Sequence, residues 1–519
     1  MTEEQQLSLH TETLFRKTVD LCKTYRYPLL MSLICAFISY TFIFTNKLPN
    51  HDELSYLFGT GATIKSGRWG IALFSHLIPQ FSLPWFHGVA TVLLISVGIC
   101  LIVAAFRIRS HLLQTLLAGA IIVFPALLGT FGYMFTSIYY GISFLLAALA
   151  IWLLARGARY DGLLALVCCV VSVGIYQAYI AIVSSLLVTL LLQRVLFAEP
   201  SPKTTVLQGL RFLAFLALSL ALYWGVTRLT QWAMGIEMGR YASKALDGGD
   251  SLWERVRLCY VYFWRILTDS SKGLIPEGVL RWTNCLLLVV TCAELLVCGL
   301  RPQRRSLLPL LLGLLVIYPA SVTCIYLFVD RYSVHSLVMY GFAMVYVLAA
   351  VVIDGSIHVL TGRERADILR GLGCDAALAA MTVMILCNCF RSNVASLNMF
   401  LNYENNYALA TSIITQVQMY PGYNHDMKVA IIGRLPEKGE PPELAEIRKL
   451  TGVRGFHTMC DSYENFWEDY LGFGVRFVSE SSKEEIMETE EFQNMPTYPT
   501  QGYIGMVGED LVVKLPPDD

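Results

Sequence analysis

Apolar stretches of about 20 residues, the length that crosses a ~30 Å hydrocarbon layer, recur along this chain from residue 28 to about residue 395. That pattern leaves few solutions, because lipid offers the backbone no hydrogen-bond partner and a spanning segment must satisfy its own. Composition agrees: 55% of the 519 residues are hydrophobic and 15% charged, with a mean hydropathy of +0.53. The expected fold is a polytopic α-helical membrane protein.

The hydropathy predicts about 11 spans, near 28–46, 85–106, 111–129, 133–155, 161–175, 177–197, 205–227, 281–300, 306–328, 334–354 and 372–394. Residues 1–27 form a cytoplasmic N-terminal segment with no small-residue cleavage site after it, so the first span is expected to stay as an anchor. Arg and Lys are retained on the cytoplasmic side in short loops. Here they fall at alternate loops: Arg107 and Arg109, Arg156 and Arg159, Arg194 with Lys203, Arg301 with Arg304 and Arg305, then Arg363, Arg365 and Arg370. The loops 47–84 and 228–280 and the tail from 396 are then expected to face outward. The region 28–395 is the transmembrane domain. The acidic, less apolar tail 396–519 carries strand patterns at 428–432, 475–478, 503–507 and 511–515, and reads as a small extracytoplasmic α/β domain.

Most of the 14 cysteines lie inside apolar spans. Without CxxC pairs or histidines at ligand spacing, they read as small core hydrophobes. The segment between Trp69 and Trp85 is too short to span and is broken by Pro79 and Pro84, and the stretch from Trp253 to Arg265 interleaves aromatic and basic residues. Both suit helices lying along the membrane surface. The charge distribution gives no reason to expect nucleic acid.

The chemistry concentrates after the first span, in Asn50-His51-Asp52-Glu53 and the following Lys65-Ser66-Gly67-Arg68-Trp69. Sugar transfer from a phosphate-linked donor needs a base for the acceptor hydroxyl, a cation for the departing phosphate and a surface for the sugar. Asp52 or Glu53 can take the proton, with His51 orienting them. Arg68 or Lys65 can hold phosphate, Arg being the better clamp because its planar fork donates two parallel hydrogen bonds. Tyr56 or Trp69 can pack against a sugar. The polar midpoint Gly174-Ile175-Tyr176-Gln177-Ala178-Tyr179 suits a hairpin tip at the outer surface. Its Tyr176 and Gln177 either line a site or are satisfied by water. Asp330-Arg331 offers a local ion pair or a phosphate contact, and Arg240, Lys244 and Lys272 are further basic candidates. One histidine beside carboxylates does not make a metal site, so none is expected.

These segments, with the tail residues Tyr498-Pro499, Gly502-Tyr503-Ile504 and Leu511-Val512-Val513-Lys514-Leu515, resemble the bacterial serotype-converting O-antigen glucosyltransferase family, Gtr type II, and the wider group of GT-C glycosyltransferases. The resemblance implies an inverting enzyme in the bacterial cytoplasmic membrane. Such an enzyme moves a hexose, glucose by the family name, from a polyprenyl-phosphate carrier to a cell-surface glycan at the outer face. It implies an acidic base in the first outward loop, which falls on Asp52 with Glu53 as the adjacent alternative, and a phosphate contact that maps to Arg68. No cofactor is expected; a divalent cation is possible but not indicated. Membrane lipid, a donor-making synthase and a flippase are the implied partners. The competing class is a transporter or flippase of lipid-linked glycans, but transporters carry ionisable residues near the bilayer midplane, and Glu294 is the main such residue here.

Overall fold

A computed structural model describes residues 3–61, 63–78, 80–198, 201–239, 250–301, 306–329, 334–358, 365–433, 442–456 and 463–517. Eight of its helices are long and apolar enough to cross a membrane, or nine if one bent pair is a single span. The chain is a multi-pass membrane protein. The other expected spans fall on shorter or broken helices: 161–175 on Asp161–Ile175, 306–328 on Leu308–Val322, and 111–129 on the pair His111–Ile122 and Pro125–Gly132, bent by 42°. The span expected at 334–354 begins at Ser336 and ends at Ile357.

The bend has an identifiable cause. Pro125 has no N–H to continue the ladder, and the residue before it, Phe124, is extended, as a pre-proline residue prefers. The break frees carbonyls inside the apolar core, and two buried phenols answer them. Tyr340 donates to the Ile121 carbonyl at 3.1 Å and Tyr40 to that of Ile122 at 2.9 Å. Glu294 is likewise satisfied, by Arg370 at 2.7 Å, so a charge that hydropathy leaves inside an apolar run sits in a buried ion pair near the end of Val279–Gly299.

Two regions take a definite form. The apolar pattern ends near 395, yet helix Arg365–Gln418 continues through that point as one element of 54 residues. The helix is unbroken where the sequence's polarity changes. The 253–265 stretch does form a helix, Leu252–Thr268, with Leu252, Trp253 and Trp264 exposed. Its other face packs into protein: Leu258, Cys259, Phe263 and Ile266 are buried in the main core, and the Thr323 hydroxyl donates to the Cys259 carbonyl at 2.8 Å.

Beyond the long helix, β1 (Lys428–Ile432), β2 (Arg476–Phe477), β3 (Ile504–Val507) and β4 (Asp510–Lys514) form one sheet in the order β2-β1-β4-β3. β1 is parallel to β2 and β4, and β3–β4 is an antiparallel hairpin. The residues 442–456 return to the bundle. Asn398, Asn402 and Asn406 of the long helix bond the backbone of Val453 and Phe456 at 2.7 to 3.1 Å, and Ser336 accepts from the Thr451 N–H at 2.7 Å. This strap lies on the end of the bundle that carries Asn50.

Candidate functional site

The short helix His51–Ser55 starts where Asn50 caps it, accepting from the Glu53 N–H at 2.9 Å while its own amide donates to the Gly132 carbonyl at 2.7 Å. Local capping thus fixes the loop onto a second helix. Its two carboxylates then part company. The Glu53 side chain is 2% exposed. One of its oxygens is paired with Lys47 and accepts from the Ser82 hydroxyl; the other accepts from the Phe135 N–H at 3.3 Å. That last contact places a carboxylate at the N-terminus of Met134–Arg156, where the helix dipole favours negative charge. Lys47 also donates to the Ser82 hydroxyl at 2.6 Å, closing a three-residue network.

Asp52, one residue earlier, turns away. Its side chain is 46% exposed, with His51 Nε2 at 3.6 Å. Leu54 buries in the tail's apolar core with Ile413, Phe466 and Trp467, so the loop is held from the tail side as well. Tyr470 of the tail is close enough that the Glu53 charge, after burial, pushes its phenol above the usual tyrosine range.

The second sequence motif builds a cavity. The turn 63–68 is pinned by helix Pro202–Met234 and by the break after Ile175. Gln177 donates to the Ser66 carbonyl at 2.8 Å and to the Tyr223 hydroxyl at 3.0 Å, and Gln231 donates to the Ile64 carbonyl at 3.2 Å. Trp69 wedges against Gly174 so closely that a Cβ there would collide with the indole. The Lys65–Trp69 and Gly174–Tyr179 motifs, about a hundred residues apart, are therefore one structure. Arg68 is aimed by it: Nη1 donates to the Tyr140 hydroxyl at 3.1 Å, and the guanidinium lies 5.4 Å from the Tyr176 ring centre. Tyr176 in turn stacks on Tyr140 at 4.2 Å.

The cavity beside Arg68 has a volume of about 530 Å³. Apolar side chains from several elements, such as Val173, Leu220, Ile325 and Phe328, form its walls, and among the described residues its charged lining residues are Arg68 and Arg255. Arg255 is oriented by the Leu327 carbonyl at 3.2 Å and the Asp250 carbonyl at 3.3 Å. His335 lines the cavity just before the Ser336–Ile357 span. Burial, then the charges of Lys272 and Arg68, push it below the usual histidine range. Lys272 itself donates to the Val334 carbonyl at 2.5 Å.

The expected site residues thus sort by geometry. Arg68, Tyr176 and Gln177 meet at the cavity. The Gly174–Tyr179 segment is not a solvated tip, since Tyr176, Ala178 and Tyr179 are buried. Trp69 is occupied by Gly174 and Tyr56 by Phe135, at 5.1 Å between rings. Lys65 is exposed, engaged through its backbone carbonyl with Gly239. Arg331, Asp330, Arg240 and Lys244 lie outside the described residues. His51, Asp52 and Glu53 do not line the cavity, but one helix joins the two places: Phe135, bonded to Glu53, and Tyr140, bonded to Arg68, stand about 7.5 Å apart along its axis at 1.5 Å per residue. Among the described residues no group of three or more His, Cys, Asp or Glu side chains is arranged to hold a metal ion.

Sequence reasoning missed Lys47, Ser82, Tyr140 and His335, and took Arg255 for a surface charge. Lys47 had a signal, as the last charge before the acidic loop; Ser82 and Tyr140 had none, because their partners are distant in sequence.

No curated protein and no solved structure matches the chain. A family model, Glucosyl transferase GtrII, matches residues 41–348, more than half of the chain. That segment includes the acidic loop, the turn bearing Arg68, the Tyr176 break and the cavity-lining His335, so the match and the geometry cover the same ground. The chain belongs to the GtrII glucosyl transferase family.

Proposed function

We propose that this glucosyltransferase takes its sugar from a polyprenyl-phosphate carrier and transfers it, with inversion, to a cell-surface glycan at the outer face of the bacterial cytoplasmic membrane. The observation that carries the reading is the cavity: apolar walls suited to a prenyl chain, with Arg68 set beside them to meet a phosphate. A guanidinium on an aromatic face among apolar walls attracts an anion more strongly than one in open water.

In this reading Asp52 is the base. Glu53 is buried and engaged by Lys47, Ser82 and the Phe135 amide, so it holds the loop, whereas Asp52 keeps an accessible carboxylate. Asp52 removes the proton from the acceptor hydroxyl as that oxygen attacks C1 of the glucose. The C1–O bond to phosphate breaks with its electron pair on the phosphate oxygen, where Arg68 meets the developing charge. Attack opposite the leaving group inverts the anomeric centre. The alternation of basic loops puts the Asp52 loop and the tail, read as an α/β domain of 396–519, on the outer side. A lipid-linked donor must then be made inside and brought outward by a synthase and a flippase. None of these steps calls for a metal.

The test is transfer by the purified protein from a synthetic polyprenyl-phosphate glucose to a glycan acceptor, with the product anomer assigned by NMR. Wild type should turn over and invert. D52N should fold and bind donor but lose turnover by roughly a hundredfold or more, in the range of general-base catalysis. Retention of configuration, or a folded D52N with full activity, would overturn the mechanism.

A further inference from the structure

We infer that Arg255 and His335 join Arg68 in a three-sided cradle that holds the phosphate monoester released by transfer more tightly than the phosphate diester that enters. The inference rests on the reading of the cavity as the donor site.

The three groups come from three separate elements and line one cavity: Arg68 from the turn before Trp69, Arg255 from helix Leu252–Thr268, and His335 from the residue before the 3₁₀ segment Ser336–Ala343. Each is positioned by its surroundings rather than left to find a pose. Arg68 bonds the Tyr140 hydroxyl, and Arg255 bonds the Asp250 and Leu327 carbonyls. Among the described residues lining the cavity there is no Asp or Glu. Lys272 adds positive potential next to His335, partly offset by Asp269 beside it.

The chemistry of the reaction matches this arrangement to the product. A prenyl-phosphate sugar is a diester: it carries one negative charge and two terminal oxygens. When the C1–O bond breaks, the electron pair stays on oxygen, and the phosphate becomes a monoester with three terminal oxygens and about −1.5 to −2 charge at pH 7. Two guanidiniums and an imidazole N–H offer a donor group for each of the three oxygens, while the diester can occupy only two. The extra contact and extra charge both appear as the bond breaks, which is where stabilisation accelerates the step. They also make the spent carrier a slow leaver and an inhibitor competitive with donor.

Equilibrium dialysis with the full-length protein in detergent tests this, using farnesyl phosphate, methyl farnesyl phosphate, farnesol and inorganic phosphate as probes, with transfer activity measured in parallel. Farnesyl phosphate should bind about tenfold more tightly than its methyl diester, the size expected of one further charge-assisted hydrogen bond. Farnesol and inorganic phosphate should bind far more weakly than either. H335Q and R255Q, each checked by melting temperature, should reduce monoester binding severalfold and shrink the preference toward unity. Equal binding of monoester and diester by a protein that still transfers glucose would overturn the cradle and leave the donor reading intact. So would variants that lower both affinities alike. Inorganic phosphate competing as well as farnesyl phosphate would mark a free-phosphate site, and binding of neither prenyl phosphate would remove the donor reading and the cradle together.

Discussion

Gly452 of the strap lies backbone to backbone against Gly132, the residue whose carbonyl holds the Asn50 side chain. A side chain on either glycine has nowhere to go: a Cβ on Gly132 would strike the Gly452 carbonyl, and one on Gly452 would come within 2.7 Å of the Gly129 oxygen. Gly452 also has φ +88°, a backbone region that costs other residues about 1–3 kcal/mol. G452A is therefore expected to lower the melting temperature in detergent and to reduce transfer, because the contact it disturbs is one bond away from the cap of the acidic helix. An unchanged melting curve and rate would show that the strap does not position the loop.

Lys47 and Glu53 make a buried pair whose loss should be asymmetric. K47M strands a carboxylate that is 2% exposed and should destabilise by about 3–5 kcal/mol, whereas K47M combined with E53Q removes both charges and should recover much of that. Chemical denaturation of the three variants, read as a double-mutant cycle, checks it. A double variant no better than K47M would mean that the network is not held by this pair.

Tyr140 touches Arg68 through its hydroxyl and Tyr176 through its ring. Y140F keeps the stack and removes one hydrogen bond of about 1 kcal/mol. Donor KM should rise severalfold with little change in stability. A fall in kcat alone would instead place Tyr140 at the chemical step.

Gly174 is the seat of the Trp69 indole. G174A overpacks that contact and is expected to cost about 1–3 kcal/mol, lowering the melting temperature and weakening donor binding through the shifted turn. W69A should relieve the clash when combined with it, so the double variant should melt above the sum of the two single losses.

The spans were legible because hydropathy is a local property: where helices such as Pro84–Phe106 and Met134–Arg156 stand in the structure, a run of apolar residues stands in the sequence. The broken span was less so, since Pro125 announces the break but the phenols of Tyr40 and Tyr340 that answer it come from residues 82 and 219 positions away from their acceptors. The same reason divides the site. Asp52, Glu53 and Arg68 stand out as charges beside apolar runs, but which carboxylate is free depends on Ser82 and the Phe135 amide, and no local pattern encodes that. Tyr176 and Gln177 looked like a wet turn because polarity in a short break suggests water; here the break faces a cavity. Arg255 follows an amphipathic pattern whose apolar side packs into protein rather than lipid.

Helix Arg365–Gln418 is about 80 Å long at 1.5 Å per residue, far more than a ~30 Å hydrocarbon layer takes up. Together with the strap it makes a braced frame: one rigid arm runs out of the bundle, and residues 442–456 tie back to Asn398, Asn402, Asn406, Ser336 and Gly132. The loop that bears Asp52 is thus gripped from two sides, from the bundle where Asn50 bonds the Gly132 carbonyl and from the tail where Leu54 is buried.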